Sequence, residues 1–126
     1  MGRKAGVFDG PVDVPGPLSP SVAIGRTVAV SGQCGYRLGR RLSDGIEEQT
    51  RVAMQNLRRA LEASGCGLED VLSVTVYLVD REDLAAMNAV YREFFDADPY
   101  PARTTVYVGL AADVLVEIDC LAMKPV

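Results

Sequence analysis

The side chains best suited to chemistry stand near the C-terminus, in two stretches whose β-branched and apolar residues read as strands, Arg103 to Leu110 and Val114 to Met123. Strand side chains alternate with period two, so Arg103, Thr105, Tyr107 and Gly109 share one face of the first, and Thr104, Val106, Val108 and Leu110 the other. In the second, Val116, Ile118, Cys120 and Ala122 make an apolar face, while Leu115, Glu117, Asp119 and Leu121 point the other way. If both apolar faces meet helices, Arg103, Thr105, Tyr107, Glu117 and Asp119 converge on the opposite side of the sheet. There a planar, permanently charged guanidinium can hold a carboxylate by a bidentate pair, and a carboxylate can move protons to and from water. That face is too apolar for open solvent and too polar for a monomer core, which predicts a subunit contact with a cleft where the polar groups gather.

The composition narrows the chemistry further. The chain of 126 residues contains no histidine, which removes Ser-His-Asp and Cys-His pairs, the HExxH zinc helix and mixed Cys/His zinc sites. Any acid or base is then a carboxylate, Lys, Tyr, Cys or bound water, and no metal or cofactor is called for. A hydrophobic share of 48% with 24% charged residues suits one globular domain over residues 1–126. The net charge of −4 lacks the field that drives nucleic-acid binding. Arg37, Arg40 and Arg41 form the densest basic group, and beside Asp44, Glu47 and Glu48 they read as a solvated loop. Cys34, Cys66 and Cys120 are widely spaced and form no CxxC pair, as expected of reduced thiols in a cytoplasmic protein. No signal-peptide pattern or membrane-spanning apolar run is expected.

The elements that must position these residues follow from periodicity. Gly10 to Pro20 carries Pro11, Pro15, Pro17 and Pro20 and is expected as an extended arm. Ser21 to Gln33 reads as a hairpin turning at Gly25-Arg26, and Cys34 to Ser43 as a loop. Asp44 and Glu47 form a D-x-x-E helix start. Ile46, Thr50, Ala53, Met54, Leu57, Ala60, Leu61 and Ser64 then make one helical face up to a stop at Gly65, with Glu48, Gln49, Arg51, Gln55, Arg58, Arg59 and Glu62 largely outside it. Val71 to Val79 is apolar on both faces, as a central strand would be. A second helix opens at Asp80 and buries Leu84, Met87, Val90, Tyr91, Phe94 and Phe95. The order β-β-α-β-α-β-β predicts an α+β two-layer sandwich, a mixed sheet with both helices on one face.

In this order and spacing the chain resembles the RidA (YjgF, reactive intermediate or imine deaminase) family. The resemblance rests on Gly16-Pro17-x-Ser19, Val30-Ser31-Gly32-Gln33, Ile46-Glu47-Glu48-Gln49-Thr50, Met87-Asn88-x-Val90-Tyr91, Phe94-Phe95, Pro101-Ala102-Arg103-Thr104-Thr105-Val106 and Val116-Glu117-Ile118-Asp119. It implies a chorismate-mutase-like fold, a homotrimer with clefts between subunits, and cofactor-free hydrolysis of reactive enamines and imines to 2-keto acids and ammonia. It also implies that Arg103 holds the substrate carboxylate, that Glu117 positions or activates water, and that the Gly32 backbone lies near ligand. Thr105 stands where many members carry Cys, and Tyr107 follows on the same face. Leu18 replaces the cleft tyrosine of Gly-Pro-Tyr-Ser, which points to an altered substrate, to simple packing of the arm, or to a trimer that binds a small ligand without turnover. A ribonuclease or translation-inhibitor role, also attached to the family, fits poorly with the acidic balance and missing histidine.

Overall fold

The computed structural model describes residues 2–6 and 16–126, so the expected arm at Pro11 and Pro15 lies outside the described residues. The elements run β1 (Lys4–Ala5), β2 (Ser21–Ile24), β3 (Thr27–Cys34), α1 (Gly45–Ala63), β4 (Val71–Leu78), α2 (Leu84–Phe94), β5 (Ala102–Tyr107) and β6 (Val116–Met123). Short 3-10 turns at Leu68–Asp70 and Arg81–Asp83 precede β4 and α2. The strands form one mixed sheet in the order β1-β2-β3-β6-β4-β5, antiparallel throughout except for β4 beside β5. This is the expected α+β sandwich, extended at one edge by the two-residue β1.

Helix α1 lies on the sheet through the expected stripe: Ile46, Thr50, Ala53, Met54, Leu57, Ala60 and Leu61 are all buried. Leu57 is fully enclosed, and truncating it to Ala costs about 2–5 kcal/mol on the scale of buried leucines. Gly65 ends the helix at φ +85°, and the Gly65 and Cys66 N–H groups donate to the carbonyls of Glu62 and Leu61. The N-terminus departs from expectation. Asp44 occupies the cap position but its side chain makes no capping bond, because the chain turns in through Gly45 at φ +79°. Glu47 and Glu48 still place negative charge at the positive end of the helix. Glu48 is held by Arg37 at 2.9 Å and also by Arg51, so the mixed-charge loop is an exposed ion-pair cluster.

The core lies between helices and sheet, where Val28, Val30, Val74, Val76, Leu78, Ile118, Cys120 and Ala122 meet Met54, Leu57, Leu61, Met87 and Tyr91. The last two strands are not a hairpin. Strand β4 lies between them, pairing in parallel with β5 and antiparallel with β6. Strand β5 also ends at Tyr107, short of the expected Leu110.

Candidate active site in two halves

The register settles which way each candidate side chain points, since laterally paired residues share a face. Glu117 pairs with Tyr77, and Asp119 with Thr75, so all four stand on the open face away from the helices. Arg103 pairs with the buried Val74, Thr105 with Val76 and Tyr107 with Leu78, which puts these three on the helix side. The expected convergence of Arg103, Thr105 and Tyr107 with Glu117 and Asp119 on one face is therefore wrong within a single chain. Alternation alone places the apolar Val106 and Val108 toward the core, but β5 is the edge strand of the sheet. There Val106 pairs beside Tyr77 on the open face.

On the helix side the Arg103 guanidinium lies over the Tyr91 ring at 4.9 Å. Tyr91 is buried against Phe95, ring centroids 5.0 Å apart, so the platform beneath Arg103 is fixed by α2. Burial pushes the Tyr91 hydroxyl above the usual tyrosine range, with the Arg103 charge opposing. Tyr107 is capped in the same way by Arg81, 4.7 Å from its centroid. The half-site thus presents an exposed cation at a sheet edge, backed by aromatic rings, with Thr105 beside it.

The open face carries the other half. Glu117 stands directly opposite Cys34, whose thiol lies 3.2 Å from Glu117 Oε1. A Cβ on Gly32 would fall 2.2 Å from Glu117 Oε2, so only glycine leaves the carboxylate its place. Gly32, whose backbone the resemblance places near ligand, lies against the Glu117 carboxylate. Cys34 is buried beside Glu117, outside the main core, whereas Cys120 lies in the core on the apolar face expected of it. Asp119 accepts from the Tyr77 hydroxyl at 2.8 Å; it is neither simply solvated nor the partner of Arg103. That bond to a carboxylate, with burial adding to it, raises Tyr77 above the ordinary tyrosine range.

Leu18 approaches this half through its neighbours. The Ser31 hydroxyl donates to the Ser19 carbonyl at 2.6 Å, and the Ser31 N–H to that of Pro20, tying residues 19–20 to the chain just before Gly32. The Leu18 side chain is 56% exposed. Gln49, expected on the wet face of α1, is only 2% exposed. Its amide donates to the Asp113 carbonyl at 3.0 Å and accepts from the Leu115 N–H at 2.8 Å, pinning the turn that launches β6 and Glu117. Helical periodicity carries no sign of such a role, because the burial comes from a loop folding back over the helix.

Comparison with known proteins bears on the family and the fold. The family model described as Endoribonuclease L-PSP matches residues 11–124. A RutC family protein of Pyrococcus horikoshii is 41% identical over 112 residues, covering 86% of this chain and 88% of its own. The human 2-iminobutanoate/2-iminopropanoate deaminase is 33% identical over 112 residues, covering 86% and 81%. Among solved structures, E. coli TdcF with bound serine superposes with a TM-score of 0.90 at 29% identity, covering 97% of this chain and 99% of that one. RidA from an Antarctic Psychrobacter gives 0.89 at 32% identity, covering 95% and 98%. Motifs, fold and relatives coincide over nearly the whole length, and the chain belongs to the RidA/YjgF family.

Proposed function

We propose that this protein hydrolyses reactive imino and enamino acids to 2-keto acids and ammonia, without a cofactor, in clefts shared by the subunits of a homotrimer. The observation that carries the reading is the pair of half-sites. One chain carries a cation suited to a carboxylate on one sheet face and an acid on the other, so neither face holds both groups. A cyclic assembly brings the Arg103 edge of one subunit to the Glu117 face of the next. The open face also carries Ile24, Leu121 and Met123, at 48%, 40% and 39% exposed, which a neighbouring subunit would cover.

In such a cleft Arg103 holds the substrate carboxylate, with Thr105 and Tyr107 along the same wall and Leu18 and the Gly32 backbone on the other side. An enamine first takes a proton at its β-carbon and gives one up from its nitrogen to become the imine. Glu117 then accepts a proton from water as the oxygen bonds to the imine carbon, and the nitrogen gains a proton. The hydroxyl proton of the resulting carbinolamine passes through Glu117 to the amino group, which leaves as ammonia as the carbonyl of the keto acid forms. The names of the deaminase relatives support this substrate class. Buried thiols at Cys34, Cys66 and Cys120 support a reducing compartment, taken here as the cytoplasm. No helix among the described residues is long and apolar enough to cross a membrane.

The test generates 2-aminoacrylate in place with a serine dehydratase and follows keto-acid release. Acceleration by the protein is the expected result. Leu18 favours one rival, a trimer that binds carboxylate ligands without turnover. Ligand binding with no acceleration would establish that rival and overturn the deaminase. The acidic net charge and absence of histidine speak against RNA cleavage.

A further inference from the structure

We infer that Cys34 is a positioning residue for Glu117, its thiol holding one carboxylate oxygen so that the other is presented for proton transfer. This deepens the deaminase reading and rests on it. The two residues are direct cross-strand partners on β3 and β6, with the Cys34 sulfur 3.2 Å from Glu117 Oε1. An ionised carboxylate only accepts, so the thiol is the donor. Oε2 is the oxygen that occupies the space above Gly32. The two oxygens are thereby made unequal: Oε1 is engaged by sulfur, and Oε2 lies beside bare backbone.

Among the described residues no other side chain is seen to hold Glu117. Tyr77, its partner on β4, gives its hydroxyl to Asp119, and Asp119 itself is like-charged. Cys34 is 6% exposed, so its contact is sheltered from competing water. Without it the carboxylate is free to turn about its last bond, which costs turnover more than substrate binding, because Arg103 anchors the substrate on another element.

The test compares the wild type with Cys34→Ala, Cys34→Val and Cys34→Ser on enzymatically generated imines. The Ala and Val variants are expected to lose about tenfold in kcat, the scale of a hydrogen bond to a charged group, with KM within about twofold. Serine, which restores a donor, is expected to recover most of the loss. Wild-type kcat in both the Ala and Val variants, or a loss repaired by Val and not by Ser, would overturn the inference in favour of packing. A crystal structure of Cys34→Ala supplies a readout independent of turnover: a carboxylate of Glu117 rotated or spread over several orientations supports the inference, and an unmoved one refutes it. Absence of turnover in the wild type would instead defeat the underlying deaminase reading, and full turnover in Glu117→Gln would overturn the proton-transfer role of Glu117 and this inference with it.

Discussion

Arg103 and Glu117 stand on opposite faces of one sheet, with strand β4 between the strands that carry them. If they serve one substrate, they do so from different subunits. Arg103→Lys and Glu117→Gln are each expected to fold normally and to lose at least about 10²-fold in activity. Lysine lacks the planar fork and the stacking on Tyr91, and glutamine cannot exchange protons. Mixing the two inactive variants after unfolding should then restore activity. In randomly mixed rings about a quarter of the clefts pair a native Arg103 with a native Glu117. Activity staying at the sum of the two parents, in trimers shown by mass spectrometry to be mixed, would place both residues in the same subunit's site.

Gly32 gives a sharper probe of the acid. In Gly32→Ala the new methyl meets the end of the Glu117 side chain, a flexible group that can swing aside without moving backbone. Stability is therefore expected to change by less than about 1 kcal/mol while kcat falls at least about tenfold, since the carboxylate no longer sits where it handles water. Urea unfolding and steady-state kinetics on the same preparation check both halves. A large loss of stability would mean that the strand, and not the carboxylate, needs glycine there.

The difference between what the sequence showed and what it hid lies in strand order. The buried face of β6 follows from alternation because that strand lies inside the sheet, where Ile118 and Cys120 have helices over them, and the apolar residues on both faces of β4 mark it as central without telling which face is buried. The same rule inverted β5. At an edge the helix-side positions carry Arg103, Thr105 and Tyr107, and the apolar Val106 belongs to the open face. No local pattern reveals that β4 inserts between two strands adjacent in sequence. Gln49 and Cys34 were hidden for a related reason, since each is defined by a contact with a distant segment, at Asp113 to Leu115 and at Glu117.

Cys120 links the core to alkaline pH. Its thiol, ordinarily near 9.0, is pushed up to about 12 by burial, with nearby Asp119 adding to the effect. Above pH 9 the unfolded chain therefore releases a proton that the native chain keeps, and unfolding is favoured. Stability is complete below about pH 9 and declines as pH rises toward the folded value, by up to about 1.4 kcal/mol per unit from this group. Cys66, Tyr77 and Tyr91 are shifted upward too and add to the slope. Urea midpoints measured under reducing conditions between about pH 9 and 11 should fall less steeply for Cys120→Val than for the wild type. Parallel slopes would assign the alkaline sensitivity to the other groups.

Leu18 tests whether a composite cleft would select substrates by the size of their side chain. It donates no hydrogen bond, yet within one chain it leaves apolar surface uncovered, and it is joined through Ser19 and Ser31 to the backbone beside Gly32. Covering a leucine side chain is worth on the order of 1.5–3 kcal/mol. If a ligand provides that cover, imines with a larger apolar side chain gain over small ones; if a neighbouring subunit does, no preference follows. Imines formed in place by an amino-acid oxidase from leucine and from alanine separate the two. The wild type is expected to favour the leucine-derived imine by at least about tenfold in kcat/KM, and Leu18→Tyr to shift the ratio toward the smaller one by supplying a hydroxyl and reducing the space. Equal rates for both imines, unchanged in Leu18→Tyr, would assign Leu18 to the contact between subunits.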